Sequence, residues 1–68
     1  MPLSARNQLK GKIESIQNDE ILSRVIVRVG ENLIESVITR ASAEKMKLKA
    51  GDVVRAVIKA TEVMIAKG

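Results

Sequence analysis

The sequence contains no cysteine, no histidine and no aromatic residue, and its only proline is Pro2. Without cysteine there are no disulfides and no thiolate metal sites. Without histidine, zinc and iron sites of the usual kind are also excluded. A core without Phe, Trp or Tyr must be built from Val, Ile, Leu, Met and Ala, which supply limited area per residue. No apolar run approaches the ~20 residues needed to cross a membrane, and Met1-Pro2-Leu3-Ser4 opens no charged-then-apolar signal. The expectation is therefore a cytoplasmic protein with no membrane association. Glycine is scarce as well, at positions 11, 30, 51 and 68, so no glycine-rich phosphate loop exists.

The chain has 68 residues, enough for one domain over 1–68. A domain this small buries only about 60% of the surface its unfolded chain exposes. With disulfides and metals excluded, oligomerisation is the remaining way to stabilise it. Twelve Lys and Arg against eight Asp and Glu leave a formal charge of +4, which suits an anionic partner.

The dominant pattern has period two, the mark of strands. Leu9, Gly11 and Ile13 alternate with Lys10, Lys12 and Glu14 in a first strand, and Gln17-Asn18-Asp19-Glu20 reads as a turn. Ile21 to Val29 and Leu33 to Thr39 form a hairpin about Gly30-Glu31-Asn32. Ser23, Val25, Val27 and Val29 share one face of the second strand; Leu22, Arg24, Ile26 and Arg28 share the other. The period changes at Arg40. Ser42 reads as a helix cap before Ala43-Glu44-Lys45-Met46-Lys47, and Gly51 closes that segment. Val53 to Lys59 is a fourth strand, Ala60-Thr61-Glu62 breaks it, and Val63 to Ala66 is a short fifth. The expected fold is all-β with one short helix, in the order β-β-β-α-β-β of the five-stranded OB-fold-like Greek-key barrel. Strands apolar on both faces call for cover from a partner subunit.

Catalysis has little to work with, since no carboxylate pair is placed for acid-base work. The chain is expected not to be an enzyme and to need no catalytic cofactor. The polar candidates are Ser4, Arg6, Asn7, Gln8, Thr39, Ser42, Lys59 and Thr61, all hydrogen-bond donors and none acidic. Donors without an acid suit an anion that carries no proton. Asn7 and Gln8 read as structural, holding the start of the first strand. A nucleic-acid site would combine a positive groove with aromatic platforms, and stacking contributes ~1–3 kcal/mol per base. With no aromatic, that partner is disfavoured, although Arg24, Arg28 and Arg40 could contact phosphates without sequence preference.

Three segments resemble a known family. They are Ser4-Ala5-Arg6-Asn7-Gln8-Leu9-Lys10-Gly11, Ile38-Thr39-Arg40-Ala41-Ser42, and Ala56 through Ile65 with Lys59-Ala60-Thr61 at its centre. Together, at this spacing, they are similar to the molbindins, molybdenum-pterin-associated proteins with one oxyanion-binding OB-like domain. The resemblance covers nearly the whole chain. It implies a homohexamer, a trimer of dimers, that stores or buffers molybdate or tungstate at sites between subunits. By resemblance, the oxyanion would be held by Ser4, Arg6, Thr39, Ser42, Lys59, Ala60 and Thr61. The family also implies a second oxyanion site where the turn after the first strand meets its symmetry mates; here that turn is Asn18-Asp19-Glu20, whose carboxylates argue for a weak or empty site. Two alternatives stay open: a nucleic-acid-binding OB module, and an oxyanion-sensing domain of a molybdate transporter or regulator. The limits at Met1 and Gly68 speak against the latter.

Overall fold

A computed structural model describes residues 7–68. Strand β1 (Asn7–Asn18) pairs with β2 (Leu22–Val29) along its second half and with β4 (Val53–Ile58) along its first. Strand β3 (Asn32–Thr39) pairs with β2, so the sheet order is β3-β2-β1-β4, antiparallel throughout. Helix α1 (Arg40–Lys45) joins β3 to β4, and a 3-10 turn at Ala60–Glu62 follows β4.

β1 is longer than its alternation suggests because it contains an irregularity. The register with β2 shifts between Ile13 and Ser15, so Ile13 pairs with Val27 while Ile16 pairs with Val25. One extra residue lets Ile13 and Ile16 both reach the core, which no unbroken period of two allows. Glu14, inside the shift, turns outward and meets Arg28 through a two-pronged ion pair (Nε–Oε1 2.9 Å, Nη2–Oε2 2.7 Å).

The core is Ile13, Val25, Val27 and Ala43, with Ile16, Val29, Ile38, Leu48 and Val54 packed around it. Ser23 is fully buried on the same face of β2 and donates its hydroxyl to the Asn18 side-chain oxygen. A small polar residue fits there because its one proton has a partner.

Two boundaries correct the reading from sequence. Thr39, not Ser42, caps α1: its Oγ1 accepts the Ser42 N–H, and the helix ends at Lys45 rather than running to Lys47. Lys47 takes the left-handed conformation (φ 54°), with Lys47 N–H bonded to Glu44 O and Leu48 N–H to Ala43 O. That double closure ends the helix before Gly51 is reached. The fifth strand expected over 63–66 is also not formed: Val63 is extended, but residues 63–68 pair with no strand, and the described residues make four strands. Residues 63–66 are a continuous apolar run, but among the described residues no strand pairs with them.

The unpaired edges of β3 and β4 flank an apolar hollow of about 400 Å³, lined by Ile34 and Ile38 on one side and Val54, Ala56 and Ile58 on the other. Met64 and Ile65 stand 92% and 90% exposed beyond it.

Candidate anion-binding site

Two groups of donors take shape at different places in the fold. The first is at the β3–α1 junction. Thr39 is extended (φ −70°, ψ 145°), as a capping residue must be, and its hydroxyl oxygen accepts the Ser42 N–H at 3.1 Å. The same hydroxyl donates to Ser42 Oγ at 2.8 Å. The chain of bonds has a direction: Thr39 spends its proton on Ser42, and the Ser42 hydroxyl proton has no partner among the described residues. Bonds in series polarise one another, so that proton is the stronger for it.

The second group follows β4. Lys59 is extended (φ −64°, ψ 137°) and exposed, and its carbonyl accepts the Glu62 N–H at 2.9 Å to start the 3-10 turn. The first N–H groups of such a turn, those of Ala60 and Thr61, have no carbonyl within it to bond. Lys59, Ala60 and Thr61 thus offer an ammonium, two backbone N–H groups and a hydroxyl within three consecutive residues.

Register separates the two groups. Ile58, next to Lys59, pairs with Asn7 at the start of β1. Thr39 pairs with Leu22, and neighbouring Ser23 with Asn18 at the end of β1. The twelve residues of β1 lie between them in register, although Ile38 and Ile58, the neighbours of Thr39 and Lys59, line one apolar hollow. Thr39 and Ser42 bond each other, and no hydrogen bond among the described residues joins them to Lys59, Ala60 or Thr61. Ser4 and Arg6 lie outside the described residues; in sequence, Arg6 immediately precedes Asn7.

The turn at Asn18-Asp19-Glu20 is organised around its own carboxylate. Asp19 Oδ1 accepts the N–H groups of Leu22 (2.8 Å) and Ile21 (3.0 Å). Those two bonds, and after them the charge of Arg40, hold the Asp19 carboxyl below its ordinary value. The Ile21 and Leu22 N–H groups are thus occupied by the turn's own carboxylate. Asn18 belongs to β1 rather than the turn, and Glu20 is exposed.

The three arginines suggested as phosphate contacts each have an acidic neighbour: Arg24 with Glu35 (2.6 Å), Arg28 with Glu14 (2.7 Å) and Arg40 with Glu44 (3.8 Å). Only the last, four residues apart on a helix, is visible in the sequence. Arg40 does more than this: its N–H bonds to Ile21 O (2.7 Å) and its Nη1 to Asp19 O (3.2 Å). Sequence reasoning missed its place beside the hydroxyl pair. Among the described residues no cluster of acidic side chains is arranged to hold a metal ion, and no helix is long and apolar enough to cross a membrane.

Comparison with known proteins matches residues 3–65 to the TOBE domain. Molybdenum-pterin-binding protein 1 of Clostridium pasteurianum is 44% identical, over 96% of this chain and 97% of that protein. The fold superposes on a molybdate-binding protein from Sporomusa ovata with a TM-score of 0.95 at 28% identity, covering 98% of this chain and all of that one. It also superposes on the cytoplasmic molybdate-binding protein ModG in a molybdate-bound crystal form, with a TM-score of 0.82 at 33% identity. There 88% of this chain covers 43% of the longer one.

Proposed function

Because the chain belongs to the TOBE domain family, among the molybdenum-pterin-binding proteins or molbindins, we propose that it binds molybdate and tungstate in the cytoplasm, storing or buffering them without catalysis. The oxyanion sits between subunits of a homohexamer, a trimer of dimers. One observation carries this reading: Thr39 and Ser42 lie at one end of β1 and Lys59, Ala60 and Thr61 at the other. Neither group alone encloses an ion. Two chains packed end to end bring one group of each together, and the family resemblance adds Ser4 and Arg6 to the ion's partners.

The chemistry of the donors agrees with the ligand. Molybdate is a dianion whose four oxygens only accept hydrogen bonds. Arg6 and Lys59 offset its charge, while the Ser42 hydroxyl and the N–H groups of Ala60 and Thr61 reach its oxygens. Charge-assisted bonds are roughly twice as strong as neutral ones, so few contacts hold a small ion. Phosphate near neutral pH carries a proton that needs an acceptor; among these groups only the hydroxyl oxygens can accept, so a proton placed away from them is unsatisfied at a cost of ~1–3 kcal/mol.

Assembly has support of its own. The hollow between the β3 and β4 edges is apolar, and Val63-Met64-Ile65 is an apolar segment without cover. In the assembly that segment pairs as the fifth strand between those edges and closes the Greek-key barrel. Free edges and exposed apolar strands are otherwise a liability.

Titration calorimetry with molybdate, tungstate, phosphate and a single-stranded oligonucleotide tests the proposal. Binding of the first two, with phosphate much weaker, is the expected result. Oligonucleotide binding without molybdate binding overturns it in favour of a nucleic-acid module.

A further inference from the structure

Thr39, one of the hydroxyl pair at the β3–α1 junction, lines a hollow of about 560 Å³ together with Glu20, Ile21, Arg40, Ala41 and Glu44. Two of these are carboxylates, and a third, Asp19, lies directly behind in the turn that Arg40 touches. Arg40 is the one cation among the lining residues. This is an unexpected rim for donors that meet a dianion, because Glu20 and Glu44 repel it.

The placement of Arg40 is itself costly. It is the first residue of α1, whose first turn contains no acid. A cation at a helix start opposes the helix dipole. Its guanidinium is also not consumed by one strong ion pair. It reaches the Asp19 carbonyl at 3.2 Å and stands 3.8 Å from Glu44, so much of its charge remains available to the hollow.

We propose that Arg40 is a positioning residue for oxyanion binding: it offsets the carboxylates of Glu20, Glu44 and Asp19 and fastens the β1–β2 turn beside the Thr39–Ser42 pair, without itself bonding the ion. The inference rests on the proposed oxyanion site. Two actions follow from the geometry. The Arg40 backbone and side chain each hold the turn, to Ile21 O and Asp19 O, so the turn's acidic side chains keep their places at the rim. Its charge lowers the repulsion an arriving dianion meets. An effect of this kind acts through space and is screened, since the Debye length is about 10 Å at 0.1 M salt and about 3 Å at 1 M.

Molybdate titrations of Arg40→Ala, Arg40→Lys and Glu44→Gln at 0.05 M and 0.5 M sodium chloride test it, with oligomeric state followed by sedimentation. Arg40→Ala is expected to bind roughly three- to tenfold more weakly at low salt, and the loss to shrink to about twofold or less at high salt. Arg40→Lys keeps the charge and stays within about twofold of wild type, and Glu44→Gln binds more tightly than wild type at low salt. Wild-type affinity in Arg40→Ala at low salt overturns the inference alone. So does a loss that is indifferent to salt and not rescued by Lys. A wild-type protein that takes no molybdate overturns the proposed function and this inference with it. Glu44→Gln also serves where Arg40→Ala fails to assemble: wild-type affinity in that variant at low salt refutes the electrostatic role.

Discussion

Gly11 lies so close beneath the Arg28 carbonyl that a methyl group there would overlap the oxygen, and it would also stand 2.9 Å from Val27 Cγ1 and Val29 Cγ2. The close approach lets β2 cross β1 tightly while β1 passes from pairing with β2 to pairing with β4. Gly11→Ala is therefore expected to cost about 1–3 kcal/mol, the usual range for overpacking, because backbone must yield as well as side chains. Urea denaturation checks this. Gly30, with φ +60° and open space around it, provides the contrast. Gly30→Asn should cost far less than Gly11→Asn, since asparagine tolerates the left-handed region.

The Glu14–Arg28 pair predicts the acid response of the sheet. The hydrogen bond from Arg28 holds the Glu14 carboxyl below its ordinary value of 4.5, and Arg28 is raised in return. A depressed carboxyl stabilises the fold above its unfolded value and loses that contribution as pH falls through the folded one. The loss should thus begin below about pH 4.5. In Glu14→Gln the slope of stability with pH in this window should flatten, and carboxyl NMR should place Glu14 below its ordinary value.

Arg6→Ala is expected to weaken molybdate binding far more than it weakens assembly. Removing one charged hydrogen bond costs ~1.5–3 kcal/mol, roughly tenfold or more in affinity. Calorimetry on a variant shown by sedimentation to keep the wild-type mass makes the comparison. Unchanged affinity would remove Arg6 from the site.

Met64→Asp with Ile65→Asp should abolish the oligomer. Both side chains are almost fully exposed in the single chain, and a charge at each forbids burial against a neighbour. Sedimentation at micromolar concentration should show wild type without a stable monomer and the double variant shifted towards one. A wild-type protein that stays folded and monomeric refutes the assembly.

The self-occupied turn predicts stoichiometry. With the Ile21 and Leu22 N–H groups bonded to Asp19, the turn should take no oxyanion at neutral pH, and the protein should bind about one molybdate per chain. A clear excess over one at low molybdate contradicts this. Asp19→Gly with Glu20→Gly should raise the count.

Much of the architecture is legible because alternation survives where one face is buried. Val25 and Val27 point inward as their spacing requires, and the β2–β3 hairpin falls where Gly30-Glu31-Asn32 suggests. What escapes the sequence depends on long-range register. The shift at Glu14 hides the second half of β1, since Ile13 and Ile16 break period two. The helix cap moves from Ser42 to Thr39 because both are capping residues and only the Leu22–Thr39 pairing decides which is still extended. Residues 63–66 read as a strand from their apolar run, but pair with no strand among the described residues. For the site, the motifs mark Thr39, Ser42 and Lys59 as candidates, but nothing in their spacing shows that β1 stands between them. The Arg24–Glu35 and Arg28–Glu14 pairs are likewise invisible until the strands are aligned.

In the proposed inter-subunit site, the division of the donors between the two ends of β1 ties ion capture to protein concentration. An anion that needs Ser42 from one copy and Lys59 from another binds only where copies have met, so its apparent affinity obeys mass action in the chain as well as in the ion. Linkage makes this reciprocal: each bound oxyanion strengthens the contact by as much as the contact strengthens its binding. Dilution alone would then release the cargo, and a rise in free molybdate would draw scattered chains together, with no further switch required.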